Sequence, residues 1–383
     1  MPFSRFTRSV GAALLALSAF SIGRAASELF YIGTYTGSAA EGIYSARLDT
    51  NTGQMSDLKI AVKTANPAWL AISPDGKFVY AGNEVNEYGG KKTGFVTATQ
   101  VVGDGTTLRV LNQQSSEGRG PCHVSVDTAG DCLFVANYAG GSIAALPIRN
   151  DGTLVAATSK IQHTGKGKNP KRQDAAHAHQ IQTSPDGKYV YAVDLGLDRI
   201  KAYAYDAENR TLTAAPERDV IGQPGRGPRH FVFNPAGDRI YLLNELGSDL
   251  SVFTFDGASG ASKEIQNISV LPKDFKGENT AAEIQIDRAG KHVYASNRGD
   301  DSIVVLNIVA DGKLEFAQRV STGGRVPRNF VLDPSGQFLI AANQQSNDIY
   351  AFRIDPEKGT LTRVEGSSLQ LSKPVAIAFA KAK

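Results

Sequence analysis

The chain has 383 residues, 41% of them hydrophobic and 21% charged, an ordinary balance for a protein with a packed core. Its formal net charge of +3 is too small to mark a nucleic-acid-binding surface. Glycine is abundant at 39 residues, which suits a chain with many tight turns.

Residues 1–25 read as a signal peptide. Arg5 and Arg8 form a basic start, Val10 to Ile22 is an apolar stretch, and Gly23, Ala25 and Ala26 supply small residues for cleavage. The apolar stretch is short for a membrane span. The expectation is an exported protein, periplasmic or secreted, with residues 26–383 as one domain and no membrane span after cleavage.

A phrase then recurs along the chain. It reads PAWLAISPDGKFVYAGN from Pro67 to Asn83 and PCHVSVDTAGDCLFVAN from Pro121 to Asn137. AHQIQTSPDGKYVYAVD follows from Ala178 and PRHFVFNPAGDRIYLLN from Pro228. AAEIQIDRAGKHVYASN begins at Ala281 and PRNFVLDPSGQFLIAAN at Pro327. Each copy is a strand, a turn ending in Gly and a second strand, and two further strands fit between copies. Four short strands per period make a propeller blade. The C-terminal PVAIAF (Pro374 to Phe379) matches a first strand, while the N-terminal LFYIGT and GIYSARL match a second and a third. The fold class is therefore all-β: a seven-bladed β-propeller whose last blade joins both ends of the chain.

Cys122 and Cys132 fall in one hairpin, in a register that does not place them opposite each other, so two buried free thiols are expected. The basic run Lys166 to Arg172 reads as a solvated loop. Two long loops, Glu84 to Val96 and Gly165 to Ala176, carry no pattern that says whether they close over a mouth of the ring.

The repeat supplies a coordinate system for chemistry. Seven residues before each turn Gly stand Trp69, His123, Gln180, His230, Glu283 and Asn329; one residue earlier stand Ala68, Cys122, His179, Arg229, Ala282 and Arg328. Seven residues after the Gly comes a near-uniform Asn/Asp column, which includes Asn297 and Asn343 and reads first as architecture. Next to it stand Glu84, Tyr138, Leu195, Glu245, Arg298 and Gln344. Antiparallel pairing brings all four sets to one end of the hairpins, around one mouth of the channel. A purely structural ring there would favour small or apolar residues.

Arginines at such a mouth hold carboxylates or phosphates and stabilise an oxyanion. A histidine has the intrinsic pKa of a general base near neutral pH, and Glu245 could orient it or activate water itself. His163 and His292 fall off the ring. The histidine and cysteine spacing does not match a zinc site, so neither metal nor cofactor is expected.

At these residues the sequence resembles the seven-bladed lactonase family, which includes the propeller type of 6-phosphogluconolactonase and fungal carboxy-cis,cis-muconate cyclase. The segments that carry the resemblance are YIGTYT, AHAHQIQTSPDGKYVYAVDLGLDRI, GPRHFVFNPAGDRIYLLNE, AAEIQIDRAGKHVYASNRG and VPRNFVLDPSGQFLIAAN, which span nearly the whole mature chain. The resemblance implies a metal-independent lactonase or cycloisomerase site with His179, Arg229, Glu245 and Arg298 as its catalytic set. His123, His177, His230, Glu283, Arg328, Asn329, Asn297 and Asn343 are the candidate substrate-binding residues. The expected ligand is a small lactone, sugar-derived or otherwise anionic, bound by a monomer. The alternative is an exported propeller that binds a ligand or partner without catalysis. Export is a departure from the family's cytoplasmic sugar-phosphate substrate, and it puts the phosphate in question.

Overall fold

Each copy of the phrase folds as an antiparallel hairpin, and the computed structural model describes it within residues 27–381, apart from Ser38. The expected leader lies outside the described residues. The first strands of the six full copies are Pro67–Ile72, Pro121–Val126, Ala178–Thr183, Pro228–Phe233, Thr280–Ile286 and Pro327–Leu332. They open blades 1 to 6 in chain order. Each turn glycine, from Gly76 to Gly336, has φ between +67° and +87°, a conformation that a side chain resists.

The described residues form seven sheets, with strands hydrogen-bonded in sequence order within each blade. Blade 3 carries one extra short strand, Val220–Ile221. Blade 7 pairs the C-terminal Pro374–Phe379 with the N-terminal Ser27–Thr34, in the register Phe30 to Phe379 and Ile32 to Ile377. Gly42–Asp49 and Met55–Lys63 complete it. The expected seven-bladed propeller is the fold.

The core is divided among the interfaces between blades. Phe30, Ile32 and Leu48 of blade 7 pack on Phe338, Ile340 and Ile349 of blade 6. Tyr80, Val96 and Ala98 of blade 1 pack on Val124, Leu133 and Val135 of blade 2. Because every sheet is covered on both faces, second strands such as Phe78–Asn83 and Phe338–Asn343 are buried along their whole length rather than on alternate residues. Tyrosines in these strands also reach the next blade. Tyr31 donates to the Gly105 carbonyl at 2.6 Å, Tyr80 to Gly152 at 3.1 Å, Tyr241 to Gly312 at 3.0 Å and Tyr294 to Gly359 at 2.9 Å.

One irregularity recurs where each first strand enters the ring. The pairing shifts between Pro67 and Trp69, Pro121 and His123, Ala178 and Gln180, Pro228 and His230, Ala281 and Ile284, and Pro327 and Asn329. A bulge of this kind re-aims side chains that strict alternation would send to opposite faces. It lets two consecutive residues of a first strand, such as Arg229 and His230, both contribute to the channel.

Tyr294→Phe removes one inter-blade hydrogen bond and strands a buried carbonyl, so it is expected to cost about 1–3 kcal/mol. A lowered midpoint of chemical denaturation, with an unchanged circular dichroism spectrum, is the check.

Candidate active site

Two of the four columns, with Tyr35 and Arg172, enclose a cavity of about 170 Å³ at one mouth of the channel. Tyr35, Glu84, Cys122, Tyr138, Arg172, His179, Glu245, Arg298 and Arg328 line it. A larger cavity, about 1120 Å³, opens among the turns at the other end and includes Gly76, Ala289 and Gly336. It contains no residue of the four columns. The smaller cavity holds the convergent charge, so chemistry places the site there.

Glu245 is its electrostatic centre. Its Oε2 lies 3.0 Å from an Nη of Arg298 and 3.3 Å from Nε of Arg229, and its Oε1 accepts from Arg172 at 2.6 Å. Burial pushes the carboxyl up, but Arg298, Arg229 and Arg172 outweigh it and hold Glu245 at about 2. Arg298 also donates to the Ala281 carbonyl at 3.0 Å, and Arg229 donates to the Ala282 carbonyl. Each guanidinium is therefore fixed from two sides. Burial pulls Arg229 down to about 9, helped by Arg298 and Arg328, so it stays cationic at neutral pH.

His179 is buried beside this clamp. Burial lowers its pKa well below 6.5, and Arg229, His230, Arg328 and Arg298 lower it further, so its ring is neutral. The Cys122 sulfur lies 3.8 Å from His179 Nδ1, and burial pushes that thiol up beyond reactivity. Across the cavity, the Tyr35 hydroxyl donates to Glu84 at 2.6 Å and Arg328 approaches the same carboxylate at 3.7 Å.

The other sequence candidates take different places. His123, His230, Glu283 and Asn329 do not line the cavity. They form a buried layer beneath it with Gln180, against the half-buried Trp69. Ring centroids are 4.3 Å apart for Trp69 and His123, and 5.1 Å apart for His179 and His230. Several of these side chains satisfy the backbone of the next blade. Gln180 accepts from Phe231 N at 2.7 Å, Asn329 accepts from Ile377 N at 2.8 Å, and His123 lies at 3.5 Å from Ile181 N. Glu283 accepts from Asn329 at 2.9 Å and lies 3.3 Å from His230 Nδ1.

His177 sits at the rim, stacked on Tyr138 with centroids 4.6 Å apart. Asn297 and Asn343 are corrected to architecture. Both are fully buried, Asn297 donating to the Val270 carbonyl at 2.9 Å and Asn343 to Asp348 at 2.8 Å. Alternation turns Asn297 away from the mouth that its neighbour Arg298 lines.

The basic run is corrected as well. Lys166, Lys168 and Lys171 are exposed as expected, but Arg172 turns inward to Glu245 and also donates to the Tyr138 hydroxyl at 3.1 Å. No pattern in the sequence marks it, because its strand-free loop has no register. Tyr35 was legible: it follows Thr34 in blade 7 as Glu245 follows Asn244 in blade 4. Cys122 and Cys132 are free and buried, as expected. Among the described residues, no three of His, Cys, Asp and Glu converge to hold a metal ion. No described helix is long and apolar enough to cross a membrane.

Fold and site together define a seven-bladed propeller with an arginine-clamped carboxylate and a neutral imidazole at its mouth. Comparison with known proteins makes the class specific. The chain belongs to the seven-bladed β-propeller lactonase family, whose model matches residues 29–379. It is 36% identical over 350 residues to a 6-phosphogluconolactonase of Bacillus subtilis, covering 91% of this chain and 97% of that one. A 6-phosphogluconolactonase of Formosa agariphila is 33% identical, over 87% of this chain and 94% of its own. The solved structure of a periplasmic gluconolactonase from Pseudomonas aeruginosa superposes with a TM-score of 0.86 at 33% identity, over 94% of this chain and all of that one. Family membership makes the chain an enzyme of the carboxylic ester hydrolase class, against the binding-only alternative.

Burial raises Glu283 from 4.5 to about 7, against the pull of Arg229. The folded state therefore holds this proton more tightly than the unfolded chain. The associated stability is full below the ordinary value and is lost as pH rises from about 4.5 to about 7. Glu283→Gln removes that loss. The variant is expected to denature later than the native protein at about pH 8 and at a similar point at about pH 4.5, as thermal melts at the two pH values would show.

Proposed function

We propose that the protein hydrolyses a sugar-type lactone to its open hydroxy acid at this mouth, without a metal step, and does so outside the cytoplasm as a single closed ring. One observation carries the reading. A single cavity joins a neutral buried imidazole, His179, to guanidiniums held in place by Glu245.

In the reaction, a water oxygen bonds to the lactone carbonyl carbon and its proton passes to His179. Negative charge collects on the former carbonyl oxygen, where Arg298 stabilises it. Collapse breaks the ring C–O bond, and the leaving alkoxide takes the proton back from the imidazolium. Glu245 serves to position. Its lone pairs are engaged by three arginines, and a carboxylate held at about 2 is a poor base. Burial, and after it the neighbouring arginines, keep His179 neutral with its proton-accepting nitrogen unprotonated, and the oxyanion growing beside it offsets part of the field that lowers its basicity.

Export is supported by the leader-like residues 1–25 and by the likeness to a periplasmic gluconolactonase. The relatives' names supply the two substrates to try first, glucono-lactone and its 6-phosphate. Purified protein is expected to accelerate opening of at least one, measured as proton release above the spontaneous rate. Arg298→Ala is expected to lower kcat/KM by about 100- to 1000-fold, the size of one lost oxyanion donor, with an unchanged circular dichroism spectrum. Full activity in that folded variant would remove Arg298 from the mechanism.

A further inference from the structure

We propose that Arg172 is the specificity-determining residue of this site and reads an anionic substituent on the lactone. The proposal rests on the lactone hydrolysis above and goes beyond it by assigning the substrate's charge to one side chain.

Charge at the mouth does not balance. Three guanidiniums that line the cavity, from Arg172, Arg298 and Arg328, with Arg229 buried behind them, meet two lining carboxylates, Glu84 and Glu245. A neutral lactone leaves this positive excess unmatched in a cavity of about 170 Å³. A phosphate or carboxylate on the substrate matches it, and guanidinium is the group best shaped to bind either.

Among the three arginines on Glu245, Arg172 is the one placed for that task. Arg229 and Arg298 share Oε2, and their side chains are 2% and 13% exposed. Arg172 alone holds Oε1, and its side chain is 39% exposed. The Glu245 charge is already met twice at Oε2, so an incoming anion competes for Arg172 on favourable terms. The Tyr138 hydroxyl, 3.1 Å from Arg172, stands ready as a second donor.

Arg172 is also held by construction. Its neighbour Gln173 is fully buried, donates to the Leu195 carbonyl at 2.8 Å and to Asp198 at 2.7 Å, and accepts from Asn169 N at 2.9 Å. Asp198 in turn accepts from Gly225 N at 2.7 Å and Gly227 N at 2.8 Å, just before Arg229. One buried carboxylate thus ties the loop that carries Arg172 to the strand that carries Arg229.

The test compares the native protein, Arg172→Gln and the exposed control Lys171→Gln on 6-phosphoglucono-lactone and glucono-lactone. Binding of the products, 6-phosphogluconate and gluconate, is measured in parallel by calorimetry. Arg172→Gln is expected to lose about 10- to 100-fold in kcat/KM for the phosphorylated lactone, the size of one charge-assisted hydrogen bond. Most of the loss falls in KM, and 6-phosphogluconate binding weakens alike. Because Arg172 also holds Glu245, glucono-lactone is expected to lose some activity as well, but about 10-fold less than the phosphorylated lactone, and Lys171→Gln is expected to match the native protein. Equal losses on both lactones, or unchanged discrimination, would overturn the role given to Arg172. Failure of the native protein to open either lactone would instead overturn the hydrolytic reading, and the calorimetric arm would still decide whether Arg172 reads the anion.

Discussion

Closure of the ring is the constraint from which the rest follows. The N-terminal Ser27–Thr34 lies between the C-terminal Pro374–Phe379 and Gly42–Asp49, so two ends of the chain share one sheet. That pairing removes the open edge a linear array of blades would present. It also fixes how many first strands face the axis, and hence the width of the channel. The hydrophobic interfaces then repeat around the ring, including those that blade 7 makes with blades 6 and 1.

A closed ring of this size leaves an axial space that apolar side chains do not fill here. The chain fills it with polar residues arranged in two levels. The lower level spends its hydrogen-bonding capacity on the next blade, as Gln180 does with Phe231 and Asn329 with Ile377. Buried polar groups are tolerable there because they are paired. The upper level cannot be satisfied in this way. Arg229, Arg298 and Arg172 converge on Glu245, and positive charge remains in excess. A buried carboxylate without those arginines would be costly, and the arginines without it would repel one another. The site is thus a charge cluster that the scaffold holds together and a ligand can complete.

Local irregularity connects scaffold and chemistry. The bulge at the entry of each first strand breaks the two-residue alternation at the one place where the strand meets the channel. Without it, Arg229 and His230 would point to opposite faces. The same feature in blades that contribute nothing to the arginine–glutamate cluster indicates that it serves the ring first. The charge cluster at the mouth uses a geometry that every blade already has.

Much of this was legible in the sequence. A Gly-ended turn between two short strands, repeated six times with matching fragments at both ends, determined the seven-bladed ring, because strand period and turn chemistry are local properties of the chain. Counting from the turn glycines also brought His179, Glu245, Arg298 and Arg328 to one mouth, since antiparallel register is set by the turn. Tertiary structure alone decided the rest. Arg172 lies in a loop with no period, and only the folding of that loop around buried Gln173 turns it inward. His123, His230, Glu283 and Asn329 share columns with the site residues, but their depth along the channel, a property of the closed ring, places them beneath the cavity. Asn297 and Asn343 were held away from the cavity by pleat direction and by partners in an adjoining loop and at the start of the next strand. Sequence spacing determines which end of a blade a residue occupies; how far it reaches, and what charge it meets there, is settled only when seven blades close around one axis.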